Sequence, residues 1–371
     1  MSDERISSAS KPQLLRAALL AALQDGSYKV GDRFPSEPEL IARYGISRAT
    51  VREAIIGLEQ DGWLRRLQGK GTFVSERPKL HRTIAVIAPY LYATESAEHR
   101  AGTDVMPILM QSIEHHARKH GLSISLYLDN MEVETERENL GAVFERAVDA
   151  VLVNYIGCES NLDCLARIVE SEIPLVLFDR YVDELALDSV SSDNRTGSYR
   201  ATLRFLDGGF PTVEFVTGVM DNTALRDRHD GYVVAMNERG LAPRVHVLKH
   251  EIGDGTDRIN YDRTRDLVHS FDFPTAIFCA DATRLAVVSQ IVERLSVPYP
   301  NYALGCFDEP YLNLPEELLL VRVLQPLREI GRNAIDLTVR RLNGDAAPPA
   351  QVQLAPEILV TGAPTQSVAG S

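Results

Sequence analysis

The sequence predicts a small α+β domain of winged helix-turn-helix type followed by a larger, two-lobed α/β domain with parallel sheets. Three observations carry this expectation. The charge is divided: residues 1–80 hold 13 Lys or Arg against 10 Asp or Glu, a balance of +3, while the remaining 291 residues hold 26 against 42, a balance of −16. Apolar residues before residue 60 recur at helical spacing, and those after residue 82 gather in short runs that alternate with helical stretches. At 371 residues the chain is long enough for two or three ordinary cores, so neither a mini-protein nor a disordered chain is expected.

In the first segment Leu15, Leu19, Leu20 and Leu23 share one helical stripe, which Gly26 ends. Pro35-Ser36-Glu37-Pro38-Glu39 has the spacing of a capping box, with Ser36 and Glu39 as its reciprocal partners, and opens a short second helix that stops at Gly45. Ser47 is the N-cap of a third helix, in which Val51, Ile55 and Leu58 face the core. Arg48 and Arg52 project from a neighbouring face, with Ala49 and Thr50 completing the exposed first turn. Residues 63–67 and 72–74 then read as two strands around Gln68-Gly69-Lys70-Gly71, and Trp63 and Leu64 as core. Arg65, Arg66 and Lys70 make this hairpin basic, so wing and helix can both engage phosphates. Taken singly, two Arg four apart are a solvated face and a Gly-x-Gly an ordinary turn. The ordered set of cap, turn, basic helix and basic wing is what points to DNA.

Over residues 12–75 this segment resembles the DNA-binding domain of the GntR family of bacterial transcription regulators. The resemblance rests on Gly31-Asp32-Arg33-Phe34-Pro35-Ser36-Glu37, Leu40, Ser47-Arg48-Ala49-Thr50-Val51-Arg52-Glu53-Ala54, Leu58, Asp61-Gly62-Trp63-Leu64 and Gly69-Lys70-Gly71-Thr72-Phe73-Val74. It implies that Ser47, Arg48, Thr50 and Arg52 touch the major groove or its phosphates and that Gly69 approaches the minor groove. Where this chain has Pro38, a basic or polar residue is common in that family. The full candidate set for DNA contact is Arg33, Ser36, Ser47, Arg48, Ala49, Thr50, Arg52, Arg66, Gln68, Gly69 and Lys70.

Beyond a boundary near Pro78, strand-like runs at 84–88, 123–128, 150–155, 175–178, 213–217, 245–248, 276–279 and 302–305 alternate with helical stretches at 108–120, 136–147, 162–171, 199–206, 228–238, 261–270 and 284–295. Such alternation predicts parallel sheets covered on both faces, and its extent predicts two lobes. Open parallel sheets bind ligands outside the carboxyl ends of their strands, so two facing lobes enclose a cleft there. Polar residues collect at those ends: Asp179-Arg180, Asp193-Asn194 and Asp308-Glu309 follow apolar runs, and Arg228 opens the helix that Gly231-Tyr232 continue. Carboxylates and a guanidinium fork suit a polyhydroxylated ligand, and Tyr90 and Tyr92 offer a flat face for a sugar ring.

This segment, over about 82–362, is similar to the effector domain of the LacI/GalR repressors, whose fold is that of type I periplasmic sugar-binding proteins. The matching pieces are Phe178-Asp179-Arg180, Val190-Ser191-Ser192-Asp193-Asn194 with Gly197, Arg228-His229-Asp230-Gly231-Tyr232, 274–281, 305–309, and Val323-Leu324-Gln325-Pro326 with Gly331. The resemblance places Asp179, Asn194, Arg228, Asp281, Asp308 and Gln325 in or beside the effector cleft. Where that family has Asn-Asp after the strand, this chain has Asp281-Ala282.

Together the two resemblances imply the GntR/LacI arrangement of arabinose-type sugar regulators: a repressor that binds inverted half-sites of operator DNA as a homodimer, with a sugar-like effector altering its affinity. The expected organisation is a DNA-binding domain at 1–76, a linker at 77–83, an effector domain at 84–362 and a disordered tail at 363–371. Within the effector domain, one lobe takes about 84–190 and 326–353, the other 191–325 and 354–362. The competing class is an enzyme built on the α/β portion, but no Gly-x-Ser-x-Gly elbow, Walker loop or dinucleotide fingerprint is present. Cys158, Cys164, Cys279 and Cys306 form no Cys-x-x-Cys pair, and His115, His116 and His120 lack a ligand spacing, so no catalytic residue, metal or cofactor is expected. With a polar start and no apolar run of about 18 residues, a cytoplasmic protein without membrane contact is expected.

Overall fold

The computed structural model describes residues 11–24, 27–60, 62–67, 70–75, 82–89, 105–129, 132–146, 148–157, 161–248, 250–253, 256–259, 261–310, 312, 314–315 and 317–362. It divides into two compact units, Met1–Arg82 and Thr83–Ser371.

The first unit contains α1 (Lys11–Gln24), α2 (Glu37–Tyr44), α3 (Arg48–Gln60), β1 (Leu64–Leu67) and β2 (Gly71–Val74). Its core is the union of the stripes read from the sequence: Leu15, Leu19 and Leu23 of α1 pack with Val51, Ile55 and Leu58 of α3, closed by Trp63 and Leu64. Each such buried aliphatic side chain contributes about 1.5–3 kcal/mol. Gly45 ends α2 at φ 66, and its amide closes on Ile41 O. That left-handed turn is what lets α3 leave at an angle to α2. The β1–β2 hairpin pairs Leu64 with Val74 and Leu67 with Gly71, and Arg33 adds a bridge to Phe73.

The second unit is a pair of α/β lobes. The first lobe takes β3 (Thr83–Pro89), α4 (Val105–Lys119), β4 (Ser123–Asp129), α5 (Val133–Ala142), β5 (Ala150–Val153), α6 (Leu162–Glu170), β6 (Leu175–Phe178) and β7 (Asp188–Ser192). The second takes α7 (Asn194–Asp207), β8 (Val213–Thr217), α8 (Thr223–Glu238), β9 (Arg244–Val247), a hairpin of β10 (His250–Gly253) and β11 (Thr256–Ile259), α9 (Tyr261–His269), β12 (Thr275–Cys279), α10 (Ala282–Arg294), β13 (Tyr302–Phe307) and β14 (Leu320–Leu324). The chain then returns α11 (Leu327–Leu342) and β15 (Gln351–Leu354) to the first lobe and β16 (Glu357–Thr361) to the second.

The first sheet, in the order β15-β7-β6-β5-β3-β4, is wholly parallel; the second, β16-β14-β13-β12-β8-β9, is parallel except for β16, which runs against β14. No helix intervenes between β15 and β16 to reverse the chain, so β16 can only join antiparallel. Central strands are apolar throughout because both faces are covered. Along β3, Ile84, Val86 and Ala88 pack towards α4 and α11, while Ala85 and Ile87 pack towards α5 and α6.

Two helices begin earlier than the sequence pattern suggested. Arg228 does not open α8 but lies on its second turn, because the Asn222 side chain caps the helix by accepting the Leu225 amide at 3.1 Å. Likewise α7 starts at Asn194, since Asp193 accepts the Thr196 amide at 2.9 Å. Three connections join the lobes, and Gly197 of α7 packs against Pro356 of the last of them and against β13 and β14. A Cβ there would lie 2.9 Å from Pro356, 3.0 Å from Val323 and 3.3 Å from Phe307. Among the described residues no helix is long and apolar enough to cross a membrane.

Candidate functional site

In the first unit the candidate DNA contacts among the described residues are exposed, apart from half-buried Thr50. Ser47 caps α3: its hydroxyl accepts the Thr50 amide at 3.2 Å and shares a 2.8 Å hydrogen bond with the Thr50 hydroxyl. Arg48 is 79% exposed yet tied through Nε to Glu37 at 3.3 Å, whereas Arg52 has no partner among the described residues. Arg33 belongs with the wing, its guanidinium lying against Gly71 of β2, near exposed Arg66 and Lys70. The Ser36 amide and hydroxyl both donate to the Glu39 carboxylate at 2.7 Å, which holds that carboxyl below its ordinary range. Gln68 and Gly69 lie outside the described residues.

In the second unit the carboxyl ends of β6 and β13 carry Asp179 and Asp308. Both adopt left-handed backbone, φ 68 and 70, and their amides bind Val190 O and Val323 O on the next strand of their own sheet. The lobes thus present the same residue at the same position, each bearing a conformation that costs an ordinary L-residue about 1–2 kcal/mol. Between them Arg228, buried, donates from Nε to Asn194 Oδ1 and from Nη1 to Ala280 O, both at 2.8 Å, and lies 4.0 Å from the centre of the Phe307 ring. Gln325 Nε2 donates to Asp308 Oδ1 at 2.7 Å. Burial pushes the Asp308 carboxyl up to about 6, against the opposing pull of Arg228 and Gln325 and with help from Asp179 and Asp281.

Arg228 with Asn194 and Gln325 with Asp308 therefore form two hydrogen-bonded pairs, close enough that the charges of Arg228 and Asp179 act on Asp308. Asp281 stands at their edge, its oxygens engaged by the Arg284 amide and guanidinium. Tyr90 and Tyr92 lie outside the described residues.

Several residues at this site escaped the sequence reading. Asn154, directly after β5, donates to Asp179 Oδ2 at 3.3 Å; its place at a strand end was the available signal. Buried Glu136 accepts from the Ile156 amide at 2.8 Å and from Asn161 at 2.7 Å, fixing the backbone beside Tyr155. Across the seam between the lobes, the Tyr181 amide donates to Thr223 Oγ1 at 3.1 Å, Thr223 Oγ1 donates to Tyr181 O at 3.0 Å, and Tyr181 Oη reaches both Asp227 oxygens at 3.0 and 3.1 Å. Burial raises both groups above their ordinary pKa. A cavity of about 370 Å³ adjoins this seam, lined by Tyr155, Leu162, Tyr181, Met220, Asp221 and Arg226 among others. It does not contain the Asp179–Asp308 group, though Tyr155 lies next to Asn154 and Tyr181 two residues beyond Asp179. The buried, strained and part-orphaned polar group is the stronger marker of function than open volume.

Residues 13–74 match the family described as bacterial regulatory proteins, gntR family, and residues 202–365 match the periplasmic binding protein-like domain. The arabinose metabolism transcriptional repressor of Halalkalibacterium halodurans is 25% identical over 348 residues, covering 89% of this chain and 88% of that protein. Among solved structures, the transcriptional regulator CelR–cellobiose complex superposes with a TM-score of 0.62 at 18% identity, over 89% of this chain and all of that one. The Cra dual regulator of Pseudomonas putida, in complex with fructose 1-phosphate, gives 0.61 at 17% identity over 75% of this chain and 98% of that one.

Proposed function

We propose that this chain, which carries a gntR-family DNA-binding domain followed by a periplasmic binding protein-like domain, is a transcriptional repressor whose hold on operator DNA is set by a sugar-like effector in the cleft of its two lobes. The observation that supports the effector half most directly is the Asn194–Arg228–Asp308–Gln325 group with Asp179 opposite, which draws on both lobes and on two of the connections between them. A ligand held by residues of both lobes stabilises one lobe arrangement over another by its differential affinity, and so reaches the DNA-binding domains. Ser47, Arg48, Ala49, Thr50 and Arg52 would enter the major groove while Arg33, Arg66 and Lys70 hold phosphates around the wing. The protein acts as a homodimer on inverted half-sites in the cytoplasm, and the cleft binds rather than catalyses. The arabinose repressor, the cellobiose complex and the fructose 1-phosphate complex to which the chain is similar support the same reading.

The reading is tested by selecting genomic duplexes with the full chain and challenging the complex with pentoses, hexoses, uronates and short oligosaccharides. Sequence-specific binding released or strengthened by one of them is expected. Binding indifferent to both sequence and sugar would refute it.

Tyr181→Phe removes the bonds to Asp227 while keeping the ring. A hydrogen bond to a charged group contributes about 1.5–3 kcal/mol, so the effector dose-response is expected to move about tenfold towards higher concentration with its maximum unchanged. A titration of operator release that leaves the midpoint in place would show the seam to be passive.

Asp308 also makes the site sensitive to pH. Its carboxyl titrates near 6 when folded against an ordinary 3.8, so between those values the native state holds a proton that the unfolded chain releases. Stability contributed by this group therefore falls as pH rises from about 4 to about 6. An effector hydroxyl that donates to the carboxylate favours its ionised form, so affinity rises with pH through the same window, about tenfold between pH 5 and 7.5. Calorimetric titration at the two values checks this, and Asp308→Asn is expected to flatten the difference.

A further inference from the structure

Resting on the reading of this cleft as the effector site, we propose that Arg284 is a specificity-determining residue that acts through Asp281: it binds the carboxylate within its own helix and so keeps it from serving as an acceptor for the ligand. Two features, from different strands, lead there.

The first is the cap of α10. Asp281 is the N-cap, and its Oδ1 accepts the Arg284 amide at 2.9 Å. In a capping box the third helical residue sends its side chain back to the backbone of the cap. Here that residue is Arg284, and its guanidinium returns to the cap's carboxylate instead, Nη1 donating to Asp281 Oδ2. One residue thus engages both oxygens, and solvent screens the pair little, its side chains being 7% and 21% exposed. Asp281 nevertheless stands at the site, two residues beyond β12 and near enough to Asp308 for its charge to be felt there. Asp179 is the contrast: it also follows a strand and is buried, but its Oδ1 has no partner among the described residues. A carboxylate already neutralised by a guanidinium draws a ligand hydroxyl less than one left open.

The second feature is how the guanidinium is seated. Arg284 is buried, and its Nη2 donates at 3.3 Å to the carbonyl of Leu248, directly after β9. Against it lies Gly218, directly after β8, where a Cβ would stand 2.9 Å from Arg284 Cζ and nearer still to Nη2. Strands β9, β8 and β12 are neighbours in the second sheet, so one side chain joins the carboxyl ends of all three. It has room to do so because residue 218 has no side chain. A planar fork anchored at both ends holds one position, which an ammonium or an apolar side chain would not.

The experiment measures by calorimetry what Asp281→Asn costs in effector affinity in the natural full-length chain, in Arg284→Met and in Gly218→Ala. Asparagine keeps the cap and removes the charge. Gly218 does not adopt left-handed backbone, so Gly218→Ala displaces the guanidinium without forcing an unfavourable φ. The ligands are pentoses, hexoses, uronates and short oligosaccharides, with glucosamine and galactosamine beside glucose and galactose. With Arg284 removed or displaced, the freed carboxylate meets the ligand: the cost of Asp281→Asn is expected to grow about tenfold, and amino sugars to gain about tenfold over their parent sugars. The same cost in all three backgrounds, or a uniform loss of affinity across the panel, marks Arg284 as structural alone; it overturns the proposal and leaves the cleft a sugar site. Gly218→Ala carries the test if Arg284→Met fails to fold, as its melting curve shows. If no sugar binds the natural chain while operator binding persists, the reading of the cleft itself fails and the proposal with it.

Discussion

Arg228→Ala is expected to abolish the response to effector while leaving operator binding at its ligand-free strength. The substitution removes two 2.8 Å hydrogen bonds and the contact with the Phe307 ring, and it takes away the guanidinium charge that favours the ionised Asp308 carboxylate. Leaving a buried acceptor without its charged donor costs about 1–3 kcal/mol, and ligand affinity is expected to fall about 100-fold. With the cation gone, the Asp308 carboxyl rises further and holds its proton to higher pH, so it accepts a ligand hydroxyl less well. Arg228→Lys retains the charge but not the fork that spans Asn194 and Ala280 O, and is expected to fall between the two. Calorimetry together with effector-dependent release of labelled operator measures both quantities. An alanine variant that responded normally would remove this group from the effector site.

The second large effect is expected at Arg52. Exposed on α3 one turn beyond Arg48 and without a partner among the described residues, it gives up counterions when it meets a phosphate. Arg52→Ala is expected to weaken operator binding by about 1–3 kcal/mol, and to shallow the dependence of affinity on salt by about one charge per half-site. Arg48 offers the instructive contrast, since Glu37 already neutralises it. Its loss is expected to change the salt dependence less than Arg52 does. Fluorescence anisotropy at three or more salt concentrations separates the two variants. An unchanged slope for Arg52→Ala would place that side chain away from the backbone of the duplex.

What the sequence made legible followed from short-range rules. Ser47 before Arg48, with Val51, Ile55 and Leu58 beyond, declares a capped helix with one buried stripe, and that is how α3 forms. Asp179 and Asp308 could be placed because a carboxylate directly after an apolar strand must sit at the strand's carboxyl end. What stayed hidden depends on partners distant in the chain. Tyr181 meets Asp227 across 46 residues, and Asn154 meets Asp179 across 25. Nothing in either neighbourhood announces the other. Arg228 was identified as a site residue but placed at the wrong point of its helix, because the Asn222 cap is a single residue whose role depends on backbone geometry. Asp281 illustrates the opposite limit: its position was readable, but not that its oxygens are occupied by Arg284.

The packing of Gly197 against Pro356, in the last connection between the lobes, bears on how sensitivity could be tuned. A side chain added there would itself bear on no ligand, since Gly197 stands on α7 behind the strand ends, but it would press on that connection and on Phe307, against which Arg228 rests. Pro356, Val323 and Phe307 stand so near that even one methyl group forces them to shift, favouring whichever arrangement gives it room. Apparent affinity is the intrinsic affinity scaled by the fraction of molecules already competent to bind. The concentration at which the switch is thrown can thereby be shifted from a glycine, without replacing any polar residue at the strand ends.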